Sequence, residues 1–193
     1  MVNKMKLREI YDPEFLRQFG ENKEKFERLS LKDESPYIDL DEIANVMGIN
    51  IEINPSLGDD KDGEYDHNSN KIILNSKRPK TRMRFTEAHE IGHAVLDHQG
   101  VSWREINKSK LPGVSKWKEI AANNFAAELL MPSKLLLRLV HQYTEAHSID
   151  EGHLTVFHQM FIKQYLAQQL GVSEEAMGYR INNLDLFVAV NND

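Results

Sequence analysis

The sequence predicts an α+β fold: a short mixed sheet beside helices, followed by a helical C-terminal region. Three observations carry this reading. Runs with strand character occur only between residues 49 and 75. From residue 81 onward, apolar side chains recur at helical spacing, broken by Gly and Pro. The 193 residues are 40% hydrophobic and 28% charged, enough to bury a core without cross-links.

The elements follow in order. Phe15, Leu16, Phe19, Phe26 and Leu29 recur at helical spacing within a charge-rich stretch. Residues 1–35 are therefore expected to form one amphipathic helix, an N-terminal extension broken at Ser35-Pro36. Asp39, with Glu42 three residues on, reads as a helix start, and Gly48 closes that helix after Met47. Ile49, Ile51 and Ile53 alternate with Asn50 and Glu52, which predicts a half-buried strand ending at Asn54-Pro55. Residues 58–63 form a polar loop. Counted from Asp60, the twelfth residue is Lys71 where an EF-hand needs a glutamate, so calcium binding of that kind is excluded.

Gly63 to His67 and Lys71 to Asn75 read as two strands around His67-Asn68-Ser69-Asn70. A helix is expected from Thr81 to His98, a loop over residues 100–115, and a second helix from Ser115 to Met131, stopped by Pro132. Leu135 to His141, Phe157 to Leu170 and Ser173 to Asn183 complete the helical region, with a short apolar end at Leu186 to Val190. This divides the chain into an extension (1–35), a core (36–135) and a helical C-terminal region (136–193).

Composition removes several functions. Basic residues number 24 against 30 acidic ones, a net charge of -6, which disfavours a broad basic face on duplex DNA. There is no cysteine, which removes disulfide scaffolds, thiol catalysis and cysteine-rich zinc modules. Lys4, Lys6 and Arg8 are followed by no apolar run, and no 18 consecutive apolar residues occur. The expectation is a cytoplasmic protein with no membrane partner.

Chemistry concentrates at His89-Glu90-Ile91-Gly92-His93. On a helix turning about 100° per residue, the two histidines lie about 40° and one turn apart, so both rings reach one metal. Glu90 lies on the same side, placed to reach a metal-held water rather than the metal. Leu96 and Gln99 stand where a HExxHxxGxxH motif needs Gly and His, and His98 misses its position by one. Three downstream glutamates could complete the site. Glu105 falls in the expected loop. Glu119 and Glu128 share the second helix about 180° apart, so only one faces the metal. Ala122, Asn123 and Ala126 lie on the Glu119 side, where small residues let two helices approach; Gly92 does the same from its own helix. The expected ligands are His89, His93 and Glu119, with the Asn123 amide orienting an imidazole and Glu128 solvated.

Arg84-Phe85-Thr86-Glu87-Ala88-His89-Glu90-Ile91-Gly92-His93, then Glu119, Ala122-Asn123, Phe125-Ala126-Ala127 and Leu129-Leu130-Met131-Pro132, resemble the ImmA/IrrE family of metallopeptidases. The resemblance spans about residues 38–186. It implies a small zincin-like domain, zinc on His89, His93 and Glu119, and Glu90 as the base acting on a zinc-held water. It also implies a partner: a helix-turn-helix repressor cut at a specific site, as befits an anti-repressor of a phage or mobile element. The strand Ile72, Ile73, Leu74 and Asn75 is expected to be a sheet edge on which an extended substrate adds. Tyr65, Tyr143, His67 and His158 are candidates to stabilise the oxyanion.

Leu166 to Leu184, with Gly171 at the turn and Ser173 as cap, has the outline of a helix-turn-helix. From residue 160 on, Lys163 and Arg180 face Glu174, Glu175, Asp185 and Asp193, a net -2 that suits packing better than phosphates. No direct nucleic-acid contact is therefore expected. The alternative reading is a DNA-binding or partner-binding regulator whose metal is structural. His141, His147, His153 and His158 have no metal-ligand spacing, and Trp103 and Trp117 are expected to anchor the loop between the two ligand helices.

Overall fold

The computed structural model describes residues 4–32, 35–58, 60–96 and 113–187. Their elements run α1 (Leu7–Ile10), α2 (Pro13–Arg17), a 3-10 turn (Gly20–Asn22), α3 (Lys23–Arg28), α4 (Leu40–Val46), β1 (Asn50–Asn54), β2 (Gly63–Asp66), β3 (Lys71–Asn75), α5 (Lys80–Val95), α6 (Gly113–Leu130), α7 (Ser133–His147), α8 (Val156–Leu170) and α9 (Glu174–Asn183). The α+β expectation holds. One cluster of buried side chains runs from Leu7 to Leu186.

The N-terminal stretch is not the single helix expected. Pro13 opens a new helix after extended Asp12, and Gly20 takes a left-handed φ of 53°, so three short helices fold back on one another. A bridge between Lys6 and Ser30 closes the turn. The aromatic residues then face inward: Phe19 stacks on Phe26 at 3.9 Å, Tyr11 on Phe15 at 4.8 Å, and Phe15 and Phe19 meet Phe125 of α6 at 5.0 and 5.7 Å. The buried Tyr11 hydroxyl donates to the Leu129 carbonyl at 2.6 Å. This stretch is the backing of α6.

Asp39 caps α4 by accepting from the Glu42 amide, as its spacing predicts. The sheet order is β1-β3-β2, with β1 parallel and β2 antiparallel to β3. The expected sheet edge, Ile72, Ile73, Leu74 and Asn75, is therefore corrected: β3 is the central strand. Ile72, Leu74 and Asn75 are buried, and a continuous Ile-Ile-Leu run suits a strand flanked on both sides. The Asn75 amide donates to the carbonyls of Leu57, Gly58 and Lys61, so it shapes the loop before β2.

Helix α5 crosses the molecule and is held at its start by Arg84. That buried guanidinium donates to the Ile38 carbonyl at 2.6 Å and the Leu170 carbonyl at 3.2 Å, and lies 3.6 Å over the Tyr37 ring. Helix α8 ends on Gly171 at φ +65°, where a Cβ would come within 2.7 Å of Tyr37. Ser173 caps α9, and Met177 and Ile181 turn it onto the body, as expected for a packed segment. Glu128 is not solvated, contrary to expectation: it forms an ion pair with Arg180, whose Nε also donates to the Met131 carbonyl. The pair ties α9 to the end of α6.

Phe26 is fully buried among Phe19 and Tyr11. Phe26→Ala should cost about 3–5 kcal/mol by emptying that space, read as a lower urea midpoint at unchanged m-value. A loss below about 1 kcal/mol would mean that the N-terminal helices contribute little to the fold.

Candidate metal centre

The site is made where α5 and α6 touch. Ala88, Ala122 and Ala126 are fully buried there. A Cβ on Gly92 would lie 3.0 Å from the Phe125 ring and 3.3 Å from the Ala122 carbonyl, so glycine sets the separation. The small-residue face read from the sequence is thus the contact face.

Each ligand candidate is delivered by this contact. His89 and His93, one turn apart on α5, are buried with their Nε2 atoms 3.0 Å apart. Glu119, from α6, places Oε2 3.3 Å from His89 Nε2 and Oε1 3.3 Å from His93 Nε2. Ligand atoms of the three residues all lie within 4.8 Å of one another. Asn123, one turn beyond Glu119, accepts at Oδ1 from His89 Nδ1–H at 3.1 Å. That bond leaves the His89 Nε2 lone pair directed at the centre.

The donor set fits a metal. Burial works to raise the Glu119 carboxyl, but hydrogen bonds and charge from His89 and His93 prevail and hold it at about 2. It is an anion throughout the physiological range, as a ligand must be. Two imidazole nitrogens and one carboxylate, with a position left for water or substrate, form the set that zinc takes in hydrolytic sites. Glu90 is fully buried beside His89. Glu87, two residues before His89, is pushed up to about 7 by burial and by Asp41 and Asp39 against the pull of Arg84. Asp39 and Asp41 stand at the entry to α4.

The other sequence candidates have placements of their own. Tyr65 donates to Asn70 at 2.7 Å and meets the His67 ring edge. Tyr143 stacks on His147 and meets Tyr165 at a tilt, and His158 closes a capping box with Thr155 at the start of α8. Trp117 is exposed on α6. His98, Trp103 and Glu105 lie outside the described residues.

Glu119→Ala should abolish stoichiometric zinc, measured by metal analysis after dialysis, whereas Glu128→Ala should keep zinc and lose stability. Asn123→Ala should weaken zinc binding about 10–100-fold by freeing the His89 ring. Gly92→Ala should also weaken it, by pushing α6 from α5. Full zinc retention in Glu119→Ala would remove that residue from the site.

The peptidase family described as the IrrE N-terminal-like domain matches residues 44–182. The radiation response metalloprotease IrrE of Deinococcus radiodurans is 32% identical over 102 residues, which cover 52% of this chain and 30% of that protein. Uncharacterized immunity region protein 2 of Bacillus phage phi105 is 34% identical over 103 residues, covering 52% of this chain and 61% of that protein. The IrrE of Deinococcus deserti is 37% identical over 87 residues, 43% of this chain and 30% of that protein. The chain thus matches less than two thirds of the length of each relative. A Mycobacterium tuberculosis transcriptional regulator shares the fold, with a TM-score of 0.51 at 15% identity over 89% of this chain and 47% of that one. The family match takes in both helices of the metal centre and most of the sequence around them, and the chain belongs to the IrrE N-terminal-like peptidase family.

Proposed function

We propose that this chain is a zinc-dependent, site-specific peptidase whose substrate is a helix-turn-helix repressor. The observation that carries the reading is the convergence of His89, His93 and Glu119 beside buried Glu90. The chemistry a bound zinc supplies is Lewis acidity, which polarises a carbonyl and makes a neighbouring water acidic. Glu90 takes the proton of the attacking water and hands it to the leaving amine. Asn123 keeps His89 in the tautomer that leaves Nε2 free for zinc.

An extended substrate needs a strand edge, and with β3 central the edge nearest the site is β2. Its Gly63 is so close to Thr86 of α5 that an added Cβ would lie 2.6 Å from that methyl. Main-chain pairing with β2 would hold any sequence, so selection of the substrate falls to contacts elsewhere. A phage immunity-region protein among the relatives supports a repressor as substrate, and with it an anti-repressor role in the cytoplasm.

The competing reading, an operator-binding regulator, draws on the turn between α8 and α9. Its second helix opens on exposed Glu174 and Glu175, which phosphates repel. Operator binding with a steep salt slope would favour it.

Glu90→Gln should keep zinc and fold yet cut a repressor encoded beside this gene at least ~10²-fold more slowly, because glutamine cannot take the proton. The measurement is product formation by mass spectrometry against the unsubstituted protein with and without chelator. Cleavage by Glu90→Gln at the full rate would sink the peptidase reading.

A further inference from the structure

Helix α8 carries a buried apolar stripe from Ile162 to Leu170 and a second, exposed one in its first two turns. Ile162, Leu166, Ala167 and Leu170 are buried against the body. On the other side Val156 is 80% exposed, Phe157 71%, Met160 40% and Phe161 50%. At about 100° per residue these four share one outward face, which continues toward the C-terminus as Gln164 and Gln168. A second apolar stripe turned outward, on a helix already packed by its first, is the mark of a surface that another body covers.

We propose that this face docks a protein partner presenting an apolar ridge edged by lysine and arginine. Resting on the reading above, the partner is the substrate protein itself. Size and charge argue for this occupant. The four side chains expose on the order of 400 Å². That is the scale at which a surface patch marks interaction, and about half of the ~800 Å² each partner buries in a stable assembly. Two copies joined through this face alone fall short of a lasting dimer, whereas a contact that must release a cut product is well served.

Charge selects the partner. Exposed Asp150 and half-buried Glu151 precede the patch, and exposed Glu174 and Glu175 stand where Lys163 approaches Glu174 at 3.8 Å. Asp150 meets His153, Glu151 meets His141 and Glu174 meets Lys163; counted over residues 148–175, the four carboxylates exceed the one lysine by a net -3 with histidines neutral. Such a rim draws in basic partners and turns away acidic ones, including anionic membranes. Proteins that bind DNA carry the required lysine and arginine surplus. The patch begins about 20 Å along α8 from Leu170, where Arg84 of α5 meets the helix.

The test uses the full chain and two fluorescein-labelled helical peptides with the same Leu/Phe face, one edged by lysines and one by glutamates. Anisotropy at low salt should show binding of the lysine-edged peptide, at least about tenfold weaker binding of the glutamate-edged one, and weakening with added salt. Phe157→Ser/Phe161→Ser should lower the first affinity about tenfold or more, with circular dichroism, zinc content and sedimentation unchanged. Gln164→Ser should change nothing. Indifference to the two phenylalanine substitutions, or to the edge charge, would overturn the proposal. So would dimerisation that those substitutions abolish, since the occupant would then be a second copy. Binding is read in Glu90→Gln as well, so a missing cleavage activity leaves this result standing and removes only the peptidase reading.

Discussion

The approach of α5 to α6 at Gly92 is the constraint on which the rest depends. Two of the three ligand candidates belong to one helix and the third to the other, so the metal geometry is only as good as the gap between them. A glycine facing the Ala122 carbonyl and the Phe125 ring fixes that gap by contact rather than by polar bonding. One added methyl group would be felt at the nitrogen and oxygen donors about one turn away. The Glu119 carboxylate is tolerated there because both of its oxygens meet an imidazole nitrogen, and Asn123 accepts the hydrogen bond of the His89 Nδ1–H.

Much of the remaining architecture steadies those two helices from outside. The N-terminal aromatic residues press on Phe125, and the Tyr11 hydroxyl donates to the Leu129 carbonyl, so the last turns of α6 are backed. Arg84 fixes the start of α5 to two distant carbonyls, and Arg180 fixes the end of α6 through Glu128 and Met131. These are buried or half-buried cations with several acceptors each, which gives them direction as well as attraction. Among the described residues, four exposed apolar side chains gather on the first two turns of α8, and that is where recognition is assigned.

The metal centre was legible in the sequence because helical phase is arithmetic. A spacing of four brings His89 and His93 together, and nine residues put Glu119 and Glu128 on opposite faces. The small residues around Glu119 then chose between them, and the structure has the same choice. What sequence could not supply was partnership at long range. Nothing local says that Arg180 will reach Glu128, or that Arg84 will find Ile38 and Leu170. The role of β3 was misread because strand order is a tertiary fact, although Ile72-Ile73-Leu74 without alternation was a cue to a central place. The N-terminal break was also marked, by Pro13 and Gly20, but helical spacing of the aromatic residues outweighed those marks.

The two hydrogen bonds that Arg84 donates also bear on the order of events in time. One acceptor lies 46 residues before it and the other 86 after it. On the ribosome, α5 and α6 emerge with their histidines and glutamate long before Leu170 does. Until then a cation destined for the interior lacks one of its acceptors, and docking α5 with that bond unmade is penalised. The finished clasp therefore reports that the chain has been made through α8. An incomplete chain, which would carry the metal-holding residues without the surface assigned to choosing a partner, closes around them only at the cost of that missing bond.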